Sequence, residues 1–195
     1  MIGWVTRTML AATLAVSGAM LAAAPAVRAQ EPGQGSGQAC RDSALPDGVR
    51  AALASQFAEW HVQTTADLQA DYLKQWMAKR PSACPGIASG QFAGKSAVSY
   101  AVLLIPREKG KQGYRLVMFD PAAKGAFSQA LLEQSDAYIP TGSGIYKIDP
   151  GLQFNEEKFS TFKLKTDGLY LETLDQGGFI YYWKHGRYQR VLESD

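Results

Sequence analysis

The clearest hydrophobic pattern lies in the last third of the chain, where apolar and polar residues alternate in short runs. The runs at 159–165, 169–174, 179–184 and 187–192 have the period of two that half-buried strands require. Turn residues separate them at 167–168, 175–178 and 185–186, and Asp-Gly pairs in particular favour tight hairpins. The pattern therefore predicts a four-stranded antiparallel meander.

The middle of the chain also predicts strands. Residues 97–105 are almost wholly apolar and rich in β-branched side chains, which is typical of a central strand covered on both faces. Shorter runs at 87–92 and 114–119 flank it. Residues 126–133 fit either a helix or a strand, and the glycines and prolines of 140–151 indicate an irregular connection.

Two helices are predicted before these strands. Residues 46–57 and 64–80 each place an apolar side chain at every fourth position, which makes one stripe on a helix. A short extended piece, Trp60–Val62, separates them; Thr64 or Thr65 can cap the second helix, and Pro81 ends it. The stripes are Val49, Leu53 and Phe57 in the first helix and Leu68, Tyr72 and Trp76 in the second. The predicted fold class is α+β, with an N-terminal helix pair packed on an antiparallel sheet of about six to eight strands.

The first 29 residues are typical of a bacterial export signal. Arg7 is followed by an uncharged stretch at 9–24, Pro25 interrupts it, and Ala29 provides the small residue that signal peptidase requires. A retained membrane anchor is the alternative, because the apolar run is nearly long enough to span a bilayer. Residues 30–39 have the composition of a flexible linker, so we expect one folded domain over 40–195.

Export changes the interpretation of the two cysteines, Cys40 and Cys84. An oxidising compartment favours a disulfide between them, whereas a redox or catalytic thiol lacks a C-x-x-C spacing or a histidine nearby in the sequence. The expected location is the periplasm or the extracellular medium.

The charge balance argues against several partners. The chain has 20 Lys and Arg against 18 Asp and Glu. Arg7 and Arg28 lie in the predicted signal, which contains no acidic residue, so the remainder is neutral. A neutral domain has no evident affinity for nucleic acid or, once the signal is removed, for a membrane surface.

Few residues are equipped for catalysis. The two histidines, His61 and His185, have no zinc-site spacing, and no nucleophile elbow, Walker A or dinucleotide motif is present. We therefore expect no metal and no cofactor. A carboxylate pair remains the one catalytic alternative, and the acidic residues in or near the predicted meander are Glu156, Glu157, Asp167, Glu172 and Asp175.

An aromatic run at 179–183 is the most unusual local feature. Alternation along a strand puts Phe179, Tyr181 and Trp183 on one face, and Arg187 and Tyr188 follow on the next strand. Tyrosine, tryptophan and arginine are the side chains that most often anchor interfaces. We predict a binding site formed by Tyr181, Trp183, Arg187 and Tyr188, with core packing as the alternative use of these rings.

Residues 84–105 (CPGIASGQFAGKSAVSYAVLLI) and the closing segment GGFIYYWKHGRYQRVLESD resemble small secreted bacterial proteins of uncharacterised function. The G-x-F-x-G portion followed by YAVLL is similar to a single FG-GAP-type β-hairpin. Gln91, Ala93 and Lys95 stand where a calcium-binding version carries acidic side chains. The resemblance implies a β-hairpin and a secreted context, without calcium and without a specific activity.

These patterns predict an exported, non-enzymatic protein that binds another macromolecule in the bacterial envelope, for example by inhibiting or protecting an envelope enzyme. The alternative is a carbohydrate or peptidoglycan binder, or a hydrolase that uses a carboxylate pair. A protein partner is the expected ligand, and the sequence leaves the oligomeric state open.

Overall fold

The computed structural model describes residues 40–41, 44–94 and 97–193. The predicted signal peptide (1–29) and linker (30–39) lie outside the described residues. Two α-helices are present in this part of the chain, α1 (Asp47–Gln56) and α2 (Ala70–Lys79). The sequence predicted both, although Thr64 caps a short 3₁₀ turn at Thr65–Asp67 and α2 begins only after that turn.

The rest of the described structure is dominated by eleven strands, all paired in antiparallel fashion. They are β1 (Trp60–Val62), β2 (Ile87–Gly90), β3 (Ser99–Pro106), β4 (Tyr114–Pro121), β5 (Phe127–Ser135), β6 (Ser143–Ile148), β7 (Leu152–Asn155), β8 (Ser160–Lys163), β9 (Gly168–Thr173), β10 (Gly177–Lys184) and β11 (Arg187–Glu193).

The first sheet has β3 and β4 at its centre and β5 at one edge. The other edge of β3 is shared by two strands, because β1 pairs with its C-terminal half and β2 with its N-terminal half. Strands β3 and β4 are buried along nearly their whole length, which confirms the prediction of a central strand at 97–105. Residues 126–133 belong to β5, so the ambiguous segment is a strand.

The second sheet has the order β11-β10-β9-β6, and β7 and β8 form a separate hairpin. The predicted four-stranded meander is therefore wrong in its first strand, because β8 pairs with β7 and not with β9. Neither Asp167 nor Gly168 adopts the positive φ that a tight Asp-Gly hairpin requires. The Asp167 carboxylate instead accepts a hydrogen bond from the Gln91 backbone N–H at 2.8 Å. Because Gln91 directly follows β2, this bond connects the segment before β9 to the first sheet.

The main core lies between the two sheets. Alternate residues of β3 and β4 face the second sheet, and the alternate residues of β10 that include Tyr181 face back toward the first. Helix α1 covers the outer face of the first sheet, and α2 and the β7–β8 hairpin cover the outer face of the second. The fully buried side chains between the sheets are Phe92, Ala101, Leu103, Leu116, Met118, Ile145 and Leu169.

This arrangement contradicts the predicted α+β class. The described chain is mostly β, and its two short helices do not form a pair on one sheet. Phe57 and Leu68, the outer members of the predicted stripes, lie just outside the two helices. The residues inside the helices bury against different sheets. Val49 of α1 packs with Val117 and Phe119 of the first sheet, whereas Trp76 of α2 packs with Tyr146 of the second. Local periodicity shows which face of a helix is apolar and carries no information about which sheet covers it.

A disulfide joins Cys40 to Cys84, as predicted, with 4.9 Å between their Cα atoms. It ties the start of the described chain to the segment that leads into β2. No helix among the described residues is both long and apolar enough to cross a membrane.

Candidate functional site

A groove lies where the two sheets leave an open side between the edge strands β5 and β11. We call it the edge groove; its cavity volume is about 410 Å³. Within the described strands β5 pairs only with β4, and β11 pairs only with β10, so both are edge strands of their sheets. Near its C-terminal end β11 also accepts a hydrogen bond at the Leu192 carbonyl from the Glu156 backbone N–H at 3.3 Å. The lining residues are Asp120, 128–132 of β5, Tyr181, Trp183, Gly186, Arg187, Tyr188 and Arg190.

Asp120 anchors one end of the edge groove. It ends the buried run of β4, and the residue is only 7% exposed. Its Oδ1 accepts hydrogen bonds from the Ser99 hydroxyl at 2.6 Å and from the Tyr188 hydroxyl at 2.7 Å. Because Asp120 belongs to the first sheet and Tyr188 to the second, this buried contact fixes the two sheets relative to each other.

Glu133 of β5 makes a second contact between the sheets. Its carboxylate accepts from the Tyr114 hydroxyl at 2.7 Å and from the Tyr181 hydroxyl. An Arg190 Nη1 atom lies 3.6 Å from the same carboxylate, and the guanidinium sits 4.5 Å above the ring of Phe179. The tyrosines therefore have fixed orientations before any ligand arrives.

The β10–β11 turn positions the aromatic residues at the mouth of the groove. His185 and Gly186 both have positive φ, 52° and 79°, as a two-residue type I′ hairpin demands. This turn places Trp183 opposite Tyr188, with ring centroids 4.9 Å apart in an edge-to-face arrangement. Arg187 is exposed beside these rings and has no ion-pair partner within the described part of the chain.

The tyrosine hydroxyls of the groove are neutral donors. Burial and then the hydrogen bond to Asp120 raise the pKa of Tyr188 well above its ordinary value. Burial and the hydrogen bonds to Tyr138 and Glu133 raise the pKa of Tyr114 in the same direction. Both groups stay protonated at neutral pH, and each donates its single hydroxyl proton to a carboxylate, Tyr188 to Asp120 and Tyr114 to Glu133. What the groove offers a ligand is therefore aromatic rings and a cation.

All four predicted binding residues line the edge groove, but they differ in exposure. Tyr181 is 2% exposed and belongs to the core, so it forms the floor. Trp183 and Tyr188 are half-buried, and Arg187 is exposed. Three of the four are thus accessible to a ligand, and their role in binding stays a prediction.

Sequence reasoning missed Asp120, Glu133 and Arg190. Asp120 follows the apolar run of β4, and a carboxylate that ends a buried strand was the one local signal for it. Its partner Tyr188 lies 68 residues further along the chain, and nothing in either local sequence indicates that pairing.

Two of the carboxylates considered for hydrolysis, Asp167 and Glu172, make separate contacts. Glu172 accepts from Arg80 at 3.1 Å and from Tyr72 at 3.2 Å, which ties α2 to the second sheet. Asp167 lies five residues before Glu172, just before β9 begins, and a strand of that length spans about 16 Å. A glycosidase needs a carboxylate separation of roughly 5–9 Å.

The two carboxylates near the edge groove, Asp120 and Glu133, lie on neighbouring strands. Glu133 lies opposite Leu116 on β4, and Asp120 is four residues further along the same strand. That offset corresponds to about 13 Å between backbone positions. Each of them accepts hydrogen bonds from tyrosine hydroxyls, Asp120 from Tyr188 and Glu133 from Tyr114 and Tyr181.

No group of three or more His, Cys, Asp or Glu side chains that could hold a metal ion is found among the residues that the structure describes. Comparison with known proteins finds no family model, no curated protein and no solved structure that matches the chain. The assignment of a function therefore depends on the edge groove itself.

Proposed function

We propose that this chain is an exported, non-enzymatic binding protein of the bacterial envelope that recognises another protein through the edge groove. The disulfide between Cys40 and Cys84 supports an oxidising compartment, because such bonds persist mainly in exported proteins. The predicted signal peptide supports the same location, the periplasm or the extracellular medium.

The observation that carries the proposal is that Trp183, Arg187 and Tyr188 all line one open groove. Tryptophan, tyrosine and arginine dominate the binding energy of protein interfaces. The Trp183 and Tyr188 rings contact each other, and Asp120 holds the Tyr188 hydroxyl, so binding does not have to order them. Side chains that are fixed beforehand reduce the entropic cost of association.

The shape and charge of the groove favour an extended, acidic segment of the partner. Residues of two edge strands, β5 and β11, line it, and an extended segment can hydrogen-bond to the open part of such an edge. Arg187 is the exposed cation of the groove without an ion pair among the described residues, whereas Arg190 lies beside the Glu133 carboxylate and Asp120 is buried and already accepts two hydrogen bonds. A carboxylate of the partner beside Arg187 supplies the complementary charge.

Arg187→Ala tests this proposal with little risk to the fold, because the side chain is exposed. Lys109→Ala is the matched control, since Lys109 is an exposed cation on the distant β3–β4 connection. A partner is first captured from envelope extract with the wild-type protein, and its affinity is then measured with each variant. Arg187→Ala should lose about 2 kcal/mol of binding free energy, roughly 30-fold, while Lys109→Ala binds as wild type.

Equal affinity of the two variants for the captured protein would overturn the proposal. Trp183→Ala gives an independent measurement if its melting temperature stays close to that of wild type. A Trp183→Ala protein that unfolds assigns this ring to the core, and Arg187→Ala then decides alone. Where the captured partner is an enzyme, assaying it with and without the wild-type protein distinguishes an inhibitory role from a tethering role.

A further inference from the structure

A second pocket lies on the opposite side of the β10–β11 hairpin from the edge groove, between the end of β8 and the end of β10. We call it the lysine pocket; its cavity volume is about 450 Å³. It shares only Trp183 with the edge groove. The lining residues are Phe162, Lys163, Leu164, Lys165, Thr166, Tyr182, Trp183, Lys184 and His185.

The lysine pocket carries positive charge and no negative charge among the side chains that line it. Lys163, Lys165 and Lys184 line it, together with His185, and no acidic residue does. All three lysines are exposed. In contrast to Lys79, Lys111 and Lys147, they form no ion pair within the described ranges. Three unpaired ammonium groups around one concave site create a positive potential that an anionic ligand would neutralise.

The floor of the pocket is aromatic and apolar. Phe162 and Tyr182 lie with ring centroids 5.0 Å apart at an interplanar angle of 36°, and both are half-buried. Leu164 closes the bottom, since it is buried against Tyr170 and Ile180. Flat rings at the edge of a pocket provide a surface on which a ring-shaped ligand can stack.

From these two features we propose that the lysine pocket binds an acidic saccharide, a sugar chain that carries carboxylates. The rings suit the faces of sugars, and the lysines suit carboxylates distributed along a chain. No arginine lines the pocket, so it lacks the bidentate fork that suits phosphate. The disulfide favours an exported protein, so we choose an acidic saccharide over a nucleic acid as the ligand and make nucleic acid an arm of the test.

The test compares binding of an oligogalacturonate with that of a neutral cello-oligosaccharide of equal length and a single-stranded DNA of equal charge. Purified protein is expressed from the full chain, so any processing is the cell's own. We expect the acidic saccharide to bind and to change the tryptophan fluorescence, through Trp183 in the pocket wall. Affinity should fall as the salt concentration rises, because exposed charges are screened.

The variant Lys163→Gln/Lys184→Gln should bind the oligogalacturonate roughly tenfold more weakly or worse, since two charge-assisted contacts are lost. The control Lys74→Gln/Lys109→Gln removes the same net charge from exposed lysines elsewhere and should bind as wild type. Equal losses in both double variants would overturn the proposal. Tighter binding of the DNA than of the oligogalacturonate, or equal binding of the neutral saccharide, would overturn it as well.

Discussion

Tyrosine hydroxyls connect the layers of this molecule at the level of single residues. Tyr188 and Tyr181 each reach from the second sheet to a carboxylate of the first, and Tyr72 reaches from α2 to Glu172. Buried carboxylates require such donors, since an unsatisfied one costs the full desolvation penalty. The same bonds orient Tyr181 and Tyr188 in the edge groove, so the side chains that stabilise the fold are also the ones to which we assign recognition.

Tyr188→Phe tests this role at neutral pH. The variant removes one of the two donors to the buried Asp120, so the free energy of unfolding should fall by about 1–3 kcal/mol. Urea denaturation at pH 7 measures it. A variant as stable as wild type would show that the hydrogen bond between the sheets contributes nothing.

The pH dependence of stability provides an independent check of the tyrosine contacts. Burial is the largest cause that raises the pKa values of Tyr72, Tyr114 and Tyr188 in the folded state, and interactions with carboxylates or a neighbouring tyrosine raise them further. The folded chain therefore holds these protons more tightly than the unfolded chain. The resulting stability is fully present below about pH 10, the ordinary pKa of tyrosine, and is lost as the pH rises above it. Denaturation from pH 8 to 11 should show this decline, and Tyr188→Phe should decline less steeply. Identical slopes would contradict the assignment.

Gly86 marks a close approach that only glycine allows. It lies where β1 and β2 meet on one edge of β3, and a Cβ there would be 2.2 Å from the Gln63 carbonyl oxygen. Gly86→Ala should therefore destabilise the fold by about 1–3 kcal/mol through overpacking. Gly151→Ala is the control, since its Cβ would meet nothing within 4 Å. Melting temperatures compare the two variants, and equal values would disprove the clash.

At the level of elements, the sequence predicted where strands lie along the chain better than which strands pair with each other. His185 and Gly186 form the turn that the sequence predicted, because both residues adopt positive φ. Asp167 and Gly168 have a stronger turn signal and form no such turn. The difference is not local, since pairing of β9 with β6 depends on residues about 25 positions earlier in the chain. The strand character of 126–133 likewise depends on its pairing with β4.

The β7–β8 hairpin contains a strained position that can be relieved. Phe159 has φ of 46°, a left-handed backbone conformation that is unfavourable for phenylalanine. Its side chain is 86% exposed, so packing offsets little of this strain. Phe159→Asn should raise the free energy of unfolding by about 1 kcal/mol, because asparagine tolerates this conformation. Phe159→Ala removes the same ring but keeps the backbone cost, so it should bring no gain in urea denaturation. Equal stability of the two variants would refute the strain.

At the scale of the whole molecule, the sequence grouped one wall of the edge groove and gave no indication of the other. Trp183, Arg187 and Tyr188 follow from one aromatic run, and all three line the groove. The opposite wall, residues 128–132 of β5, belongs to another sheet. Its position depends on packing between sheets, which alternation along single strands does not encode.

The disulfide closes a loop that contains α1, β1 and α2. Cys40→Ala/Cys84→Ala should lower the free energy of unfolding by about 4 kcal/mol, because a loop with a sequence separation of 44 residues regains its freedom in the unfolded chain. Guanidinium denaturation of this variant against the oxidised wild type measures the loss. A difference under about 1 kcal/mol would contradict a structural role for the bond.

Hydrogen exchange of the backbone amides, measured with and without the captured partner, tests recognition through the edge groove most directly. Binding of an extended segment should slow exchange at residues 128–132 of β5 and 187–190 of β11, because their open edges gain hydrogen bonds. Exchange in α1, on the far face of the first sheet, should stay unchanged. Protection confined to α1 or to the outer face of the second sheet, with both edge strands unaffected, would contradict the account.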